Sequence, residues 1–98
     1  MSNTIRVVAR FFAMPEKVNE VQAILIGLIE PTRQESGCMT YELLHNQVEP
    51  TDFTFVEEWS SKAALDTHLE STHIAAASDR LEGLLAAEPD IRYYSFLA

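Results

Sequence analysis

Cysteine is nearly absent: Cys38 stands alone among 98 residues, so no intrachain disulfide can form. Basic residues are scarce as well. Seven Lys and Arg face fifteen Asp and Glu, for a formal charge of −8, and they are scattered without a cluster. That distribution excludes nucleic acid and anionic membrane as expected partners. Three glycines and four prolines are too few for a disordered or low-complexity chain. No apolar run approaches the roughly 20 residues of a membrane span. The opening MSNTIRVVARFF lacks the long apolar stretch and cleavage site of a signal peptide. A cytoplasmic location is therefore expected, and no glycine-rich phosphate loop points to a nucleotide.

What is present is apolar: 47% of the residues are hydrophobic. One domain spanning residues 1–98 is expected, with the excess apolar surface buried against a second copy. Thr4 to Phe12 is rich in branched and aromatic residues and reads as a strand apolar on both faces. Pro15 opens a helix whose stripe is Val18, Val21, Leu25, Leu28 and Ile29, widened by Ile24 and Ile26. Pro31 should kink it and Gly37 should end it. Met39–Asn46 and Phe53–Trp59 read as a strand hairpin around the turn Glu49-Pro50-Thr51-Asp52. Ser60 or Ser61 caps a short helix carrying His68. Thr72 can cap another over Ile74–Ala86, and Ile91–Phe96 reads as the last strand. This order is that of an α+β, ferredoxin-like split βαβ fold: an antiparallel sheet with its helices on one face. The bare face calls for a second protomer's sheet.

The segment FTFVEEWSSKAALDTHLESTHI concentrates the chemistry, with Trp59, His68 and His73 within fifteen residues. An imidazole beside a large aromatic can bind a flat organic molecule and move a proton on it. His68 is the first choice for a base. Glu57 is a rival whose pKa burial would raise. Glu57 and Glu58 alternate and cannot share a face. Glu58 is expected to pair with Arg10 across neighbouring strands, with Glu42 as a second partner for that arginine. Trp59, Tyr41 and Phe55 can line a binding cleft, although core or interface packing is the plainer reading of each. His45 could face the cleft or the interface, and His73 could cap a helix end or bind an anion. No metal site is expected, because the five-residue spacing of His68 and His73 keeps them off one face of a continuous helix and no acidic triad accompanies them. Cys38, at a helix end, is a poor nucleophile.

Together, IRVVARFFAMPEKVNEV, EPTRQESGCMTYEL, FVEEWSSKAALDTHLESTHI and the YYSF ending resemble the antibiotic biosynthesis monooxygenase superfamily, within it the quinol monooxygenase-like proteins. The resemblance spans essentially the whole chain. It implies a dimeric α/β barrel with a cleft between sheet and helices in each protomer. It also implies oxygenation of a quinol or polycyclic phenol by dioxygen without flavin, haem or metal, so no cofactor is expected. The superfamily's haem-degrading branch places an asparagine, a tryptophan and a histidine where this chain has Ala9, His68 and Ser78, and none of the three matches. The His68–His73 spacing is instead similar to the quinol monooxygenases and to an isomerase of a phosphorylated signalling sugar. Isomerase and non-catalytic binding protein stay open beside monooxygenase, since fold alone does not choose among them.

Overall fold

The structure is a computed structural model, and it describes residues 4–98. Strand β1 (Ile5–Phe12) leads through a 3-10 turn (Pro15–Lys17) into helices α1 (Val18–Ile26) and α2 (Ile29–Arg33). Strands β2 (Cys38–His45) and β3 (Asp52–Trp59) follow, then α3 (Lys62–Leu69), α4 (Thr72–Leu81) and β4 (Asp90–Tyr94). The strands pair antiparallel in the order β2-β3-β1-β4. This is the ferredoxin-like arrangement with an unclosed sheet. Among the described residues, no helix is long and apolar enough to cross a membrane.

Strand parity decides which face is buried. Val7 and Ala9 of β1, Tyr41 of β2, and Phe53, Phe55, Glu57 and Trp59 of β3 point into the core with Val21, Ile24, Leu25 and Leu28 of the first helical segment. Ile26, expected in that stripe, is half exposed instead. Register then builds rows across the sheet. Tyr41 lies opposite Glu57, Glu57 opposite Val7, and Val7 opposite Tyr93. The neighbouring row runs Leu43, Phe55, Ala9 and Ile91. On the other face lie Arg6, Val8 and Arg10, with Leu44 and Tyr94 about half exposed.

Several expectations are corrected. The first helix breaks at Gly27 and Leu28 rather than at Pro31. Proline lacks the N–H that would reach the carbonyl four residues back, and its ring crowds that carbonyl, which here belongs to Gly27. Pro31 itself sits in the first turn of α2, where its missing donor costs nothing. Ser71, not Thr72, caps α4, its hydroxyl accepting from the Ile74 N–H at 3.4 Å. Helix α4 stops at Leu81 because Gly83 takes a positive φ of 82°, a conformation that favours glycine. Glu58 pairs with Arg6, its cross-strand neighbour, at 3.5 Å. Arg10 instead reaches the buried Asp52 at 2.9 Å. Asp52 also accepts hydrogen bonds from Asn46 and Thr54.

Candidate functional site

A cavity of about 150 Å³ lies between sheet and helices. Its floor is the two cross-strand rows without Leu43, and its roof is α3 and α4, through Leu65, His68, Leu69, Ile74 and Ala77. It exists because the sheet centre carries small side chains, Val7 and Ala9, and Ala77 is small in the roof. The lining is almost wholly apolar. Glu57, His68, Tyr41 and Ser78 bring polar groups to it, and among the described lining residues there is no lysine or arginine.

His68 reaches this cavity because Ser61 caps α3, accepting from the Ala64 N–H at 3.1 Å. Leu65 and His68, one turn apart, are then the helix's buried residues. The imidazole tilts against the Trp59 indole, centroids 4.5 Å apart, and stands edge-on to Tyr41 at 5.7 Å. Its Nδ1 is 2.7 Å from Oε2 of Glu35. The same oxygen lies 2.9 Å from Nε2 of His73.

Glu35 was not singled out in the sequence. It lies in the turn after α2, and three local contacts aim it. Arg33 donates from Nε and Nη2 to the Tyr41 carbonyl at 3.1 and 2.8 Å, tying the turn to β2. The Gly37 carbonyl accepts from Ser60 N–H at 2.9 Å. Gly37 also packs against α3 so closely that an added methyl would collide with Ala64 Cβ. Its role is thus close approach; it does not end the helix as expected, since α2 stops at Arg33 with Gln34 as its cap. Ser71 donates to the His68 carbonyl at 2.7 Å and caps α4, which brings His73 round to Glu35.

Burial pushes the Glu57 carboxyl up to about 7; the Trp59 indole N–H, 2.8 Å from Oε1, opposes this and the Glu35 charge adds to it. Burial holds His68 below the usual imidazole value. Glu35 works against that shift and His73 slightly with it. At neutral pH His68 is therefore an uncharged imidazole. If Glu35 is ionised, Nδ1 must carry the ring proton to donate to it, and Nε2 is the acceptor. Burial, and then the charge of Glu57, pushes the Tyr41 phenol far up, so it stays protonated. The Cys38 thiol is also raised, first by burial and then by Glu35 and Glu57. These groups, rather than a helix end, keep it from being a thiolate.

Of the residues singled out in the sequence, the structure brings His68, Glu57, Tyr41 and Phe55 to the cavity wall. Trp59 is fully buried behind the wall, where it holds Glu57 and backs His68; it does not line the cavity. His73 shares Glu35 with His68, and the two rings lie tilted with centroids 6.0 Å apart. His45 lies apart, stacked on Phe53 at 4.3 Å and bonded to the Pro50 carbonyl at 2.7 Å. No acidic triad was expected beside the histidines; the structure brings them one carboxylate, and Glu35, His68 and His73 offer three ligand atoms within 4.8 Å of one another.

The model of the antibiotic biosynthesis monooxygenase family matches residues 4–94. The chain belongs to that family. Rv0793 of Mycobacterium tuberculosis is 34% identical over 73 residues, covering 74% of this chain and 71% of that one. Its solved structure superposes with a TM-score of 0.91 at 28% identity, over 97% and 96% of the two chains. A solved antibiotic biosynthesis monooxygenase gives 0.90 at 30% identity, over 96% and 99%. A Synechocystis sp. relative, sll1783, is 34% identical over 80 residues, 82% of this chain. The aligned region spans about half of that longer protein, 54%. Family membership fixes the kinship and leaves the reaction and substrate to the cavity's own chemistry.

Proposed function

We propose that this chain is a cofactor-independent monooxygenase that oxidises a single-ring quinol or phenol with dioxygen, working as a cytoplasmic homodimer. The observation carrying this reading is the Glu35–His68 hydrogen bond, which orients an imidazole on the wall of a small, apolar cavity. An apolar cavity of about 150 Å³ accepts one benzene-sized ring. A polycyclic phenol would have to extend into the adjoining groove, which shares Phe11, Ser78, Leu81 and Pro89 with the cavity. The uncovered sheet face, with its half-exposed Leu44 and Tyr94, supports a second protomer there.

The chemistry needs two proton acceptors. His68 Nε2 takes the hydroxyl proton, and Glu35 stabilises the imidazolium through Nδ1–H. The electron-rich anion passes one electron to dioxygen, and the radical pair joins as a ring-carbon peroxide. His68 returns its proton to the distal oxygen. Glu57, ionised over part of the neutral range, removes the ring C–H proton as the O–O bond breaks. One oxygen stays as a carbonyl; the other takes up that proton and leaves as water. Both reducing electron pairs come from the substrate, so no outside reductant is consumed. Tyr41 remains a neutral hydrogen-bond donor throughout.

The phosphosugar isomerase reading lacks support, because phosphate would need cations that the described cavity lining does not provide. The test is oxygen uptake by metal-free protein with a panel of single-ring quinols, beside His68→Ala and Glu57→Gln. Uptake above autoxidation that falls in both variants is the expected result. Uptake indifferent to both would remove the cavity from the mechanism. Binding without uptake by any member would make the chain a binding protein.

A further inference from the structure

We propose that Glu35, His68 and His73 form a binding site for a divalent transition-metal ion of the zinc class. The three ligands come from three segments: the turn after α2, the last turn of α3 and the first turn of α4. They nevertheless converge, with Oε2 of Glu35 2.7 Å from Nδ1 of His68 and 2.9 Å from Nε2 of His73. All three ligand atoms lie within 4.8 Å of one another. Two imidazoles and one carboxylate form a donor set that zinc takes in open, three-ligand sites.

Two imidazole nitrogens already converge on one carboxylate oxygen, so one dication placed among them can take all three as ligands. Zinc bonds of about 2.0–2.2 Å place tetrahedral ligand atoms about 3.3 Å apart. The two contacts therefore need to open by about half an ångström, while the two imidazole nitrogens, up to 4.8 Å apart, must close to the same separation. His68 is held by Trp59 and Tyr41, so the movement falls to Glu35 and His73. The His73 side chain is 22% exposed, which gives the ion a way in from solvent. Three protein ligands leave a fourth position for water.

An ion on Nδ1 of His68 drives the remaining ring proton to Nε2, the nitrogen left for the cavity. Metal binding and use of His68 as a base then exclude one another, so the ion is an inhibitor. Only this inhibition rests on the oxygenase reading; the binding does not.

The test is calorimetric titration of metal-free protein with zinc chloride, with cobalt(II) absorption as a second readout. One ion per chain is expected, with affinity lowered about tenfold or more in both Glu35→Gln and His73→Gln. These positions are partly exposed, and circular dichroism checks that both variants fold. His45→Gln removes the remaining histidine, outside the cluster, and should leave binding unchanged. No binding by the wild type at millimolar zinc overturns the site. So does binding that survives both cluster variants or is lost in His45→Gln. If quinol-dependent uptake exists, zinc should suppress it in the wild type and much less in His73→Gln. A protein that binds zinc but shows no uptake keeps the site and loses only the oxygenase reading.

Discussion

Glu57 sits in the middle of the sheet with an elevated pKa, and that makes it a measurable burden on stability. Its carboxyl rises from 4.5 in an open setting to about 7 when folded. A group whose folded pKa is raised favours folding below its unfolded pKa and loses that advantage as pH climbs to the folded value. The window is therefore pH 4.5 to about 7. Its depth is the shift of about 2.5 units at ~1.36 kcal/mol each, or about 3 kcal/mol. Glu57→Gln keeps an acceptor for the Trp59 N–H and removes the charge. The variant should match the wild type near pH 4.5 and exceed it by up to about 3 kcal/mol at pH 8. In a domain of this size that is an increase of roughly 10–20 °C in melting temperature. Urea denaturation of both proteins at several pH values gives the difference directly. His68, with a lowered pKa, weakens both proteins alike as pH falls below about 6.5, so it cancels. A stability difference that stays flat from pH 4.5 to 8 would refute the buried-carboxylate argument.

Gly37→Ala should destabilise by about 1–3 kcal/mol, because the new methyl meets Ala64 Cβ and pushes the turn bearing Glu35 off α3; denaturant melts check this, and an unchanged midpoint would mean the turn gives freely. Ala77→Phe fills the cavity from the roof and should abolish binding of any single-ring ligand while the fold persists, measured by ligand-induced melting shifts and circular dichroism. The His68 contribution should weaken the fold as pH drops below about 6.5, where unfolding lets His68 take a proton that its buried position resists, and it opposes the gain from Glu57 over the same range. The difference between wild type and His68→Gln across pH 5 to 7 isolates that contribution, and no pH dependence in it would place His68 in water.

Strand parity was legible because it is local. Phe53, Phe55, Glu57 and Trp59 share a face by alternation alone, and the same rule separated Glu57 from Glu58. The succession of strands and helices along the chain supplied the ferredoxin-like arrangement. What alternation cannot supply is register. Glu58 was matched with Arg10, while the actual register sets it opposite Arg6 and leaves Arg10 to Asp52. Proline was legible as a helix disruptor, yet its effect appears one turn earlier, at Gly27, because the crowded atom is a carbonyl four residues back. Glu35 had no signal in the spacing: its partners lie 33 and 38 residues further along, and folding alone joins them. His45 has the right parity for the core face but sits at the far end of β2, where the helices no longer cover it.

The hollow under α3 and α4 has a practical meaning of its own. Side chains around unfilled apolar space lack contacts on one side, and this hollow measures about 150 Å³. A molecule of matching shape recovers part of that deficit simply by entering. The protein thus reports on its own guests: melting-point screens of small aromatics can rank them by fit before any reaction is known.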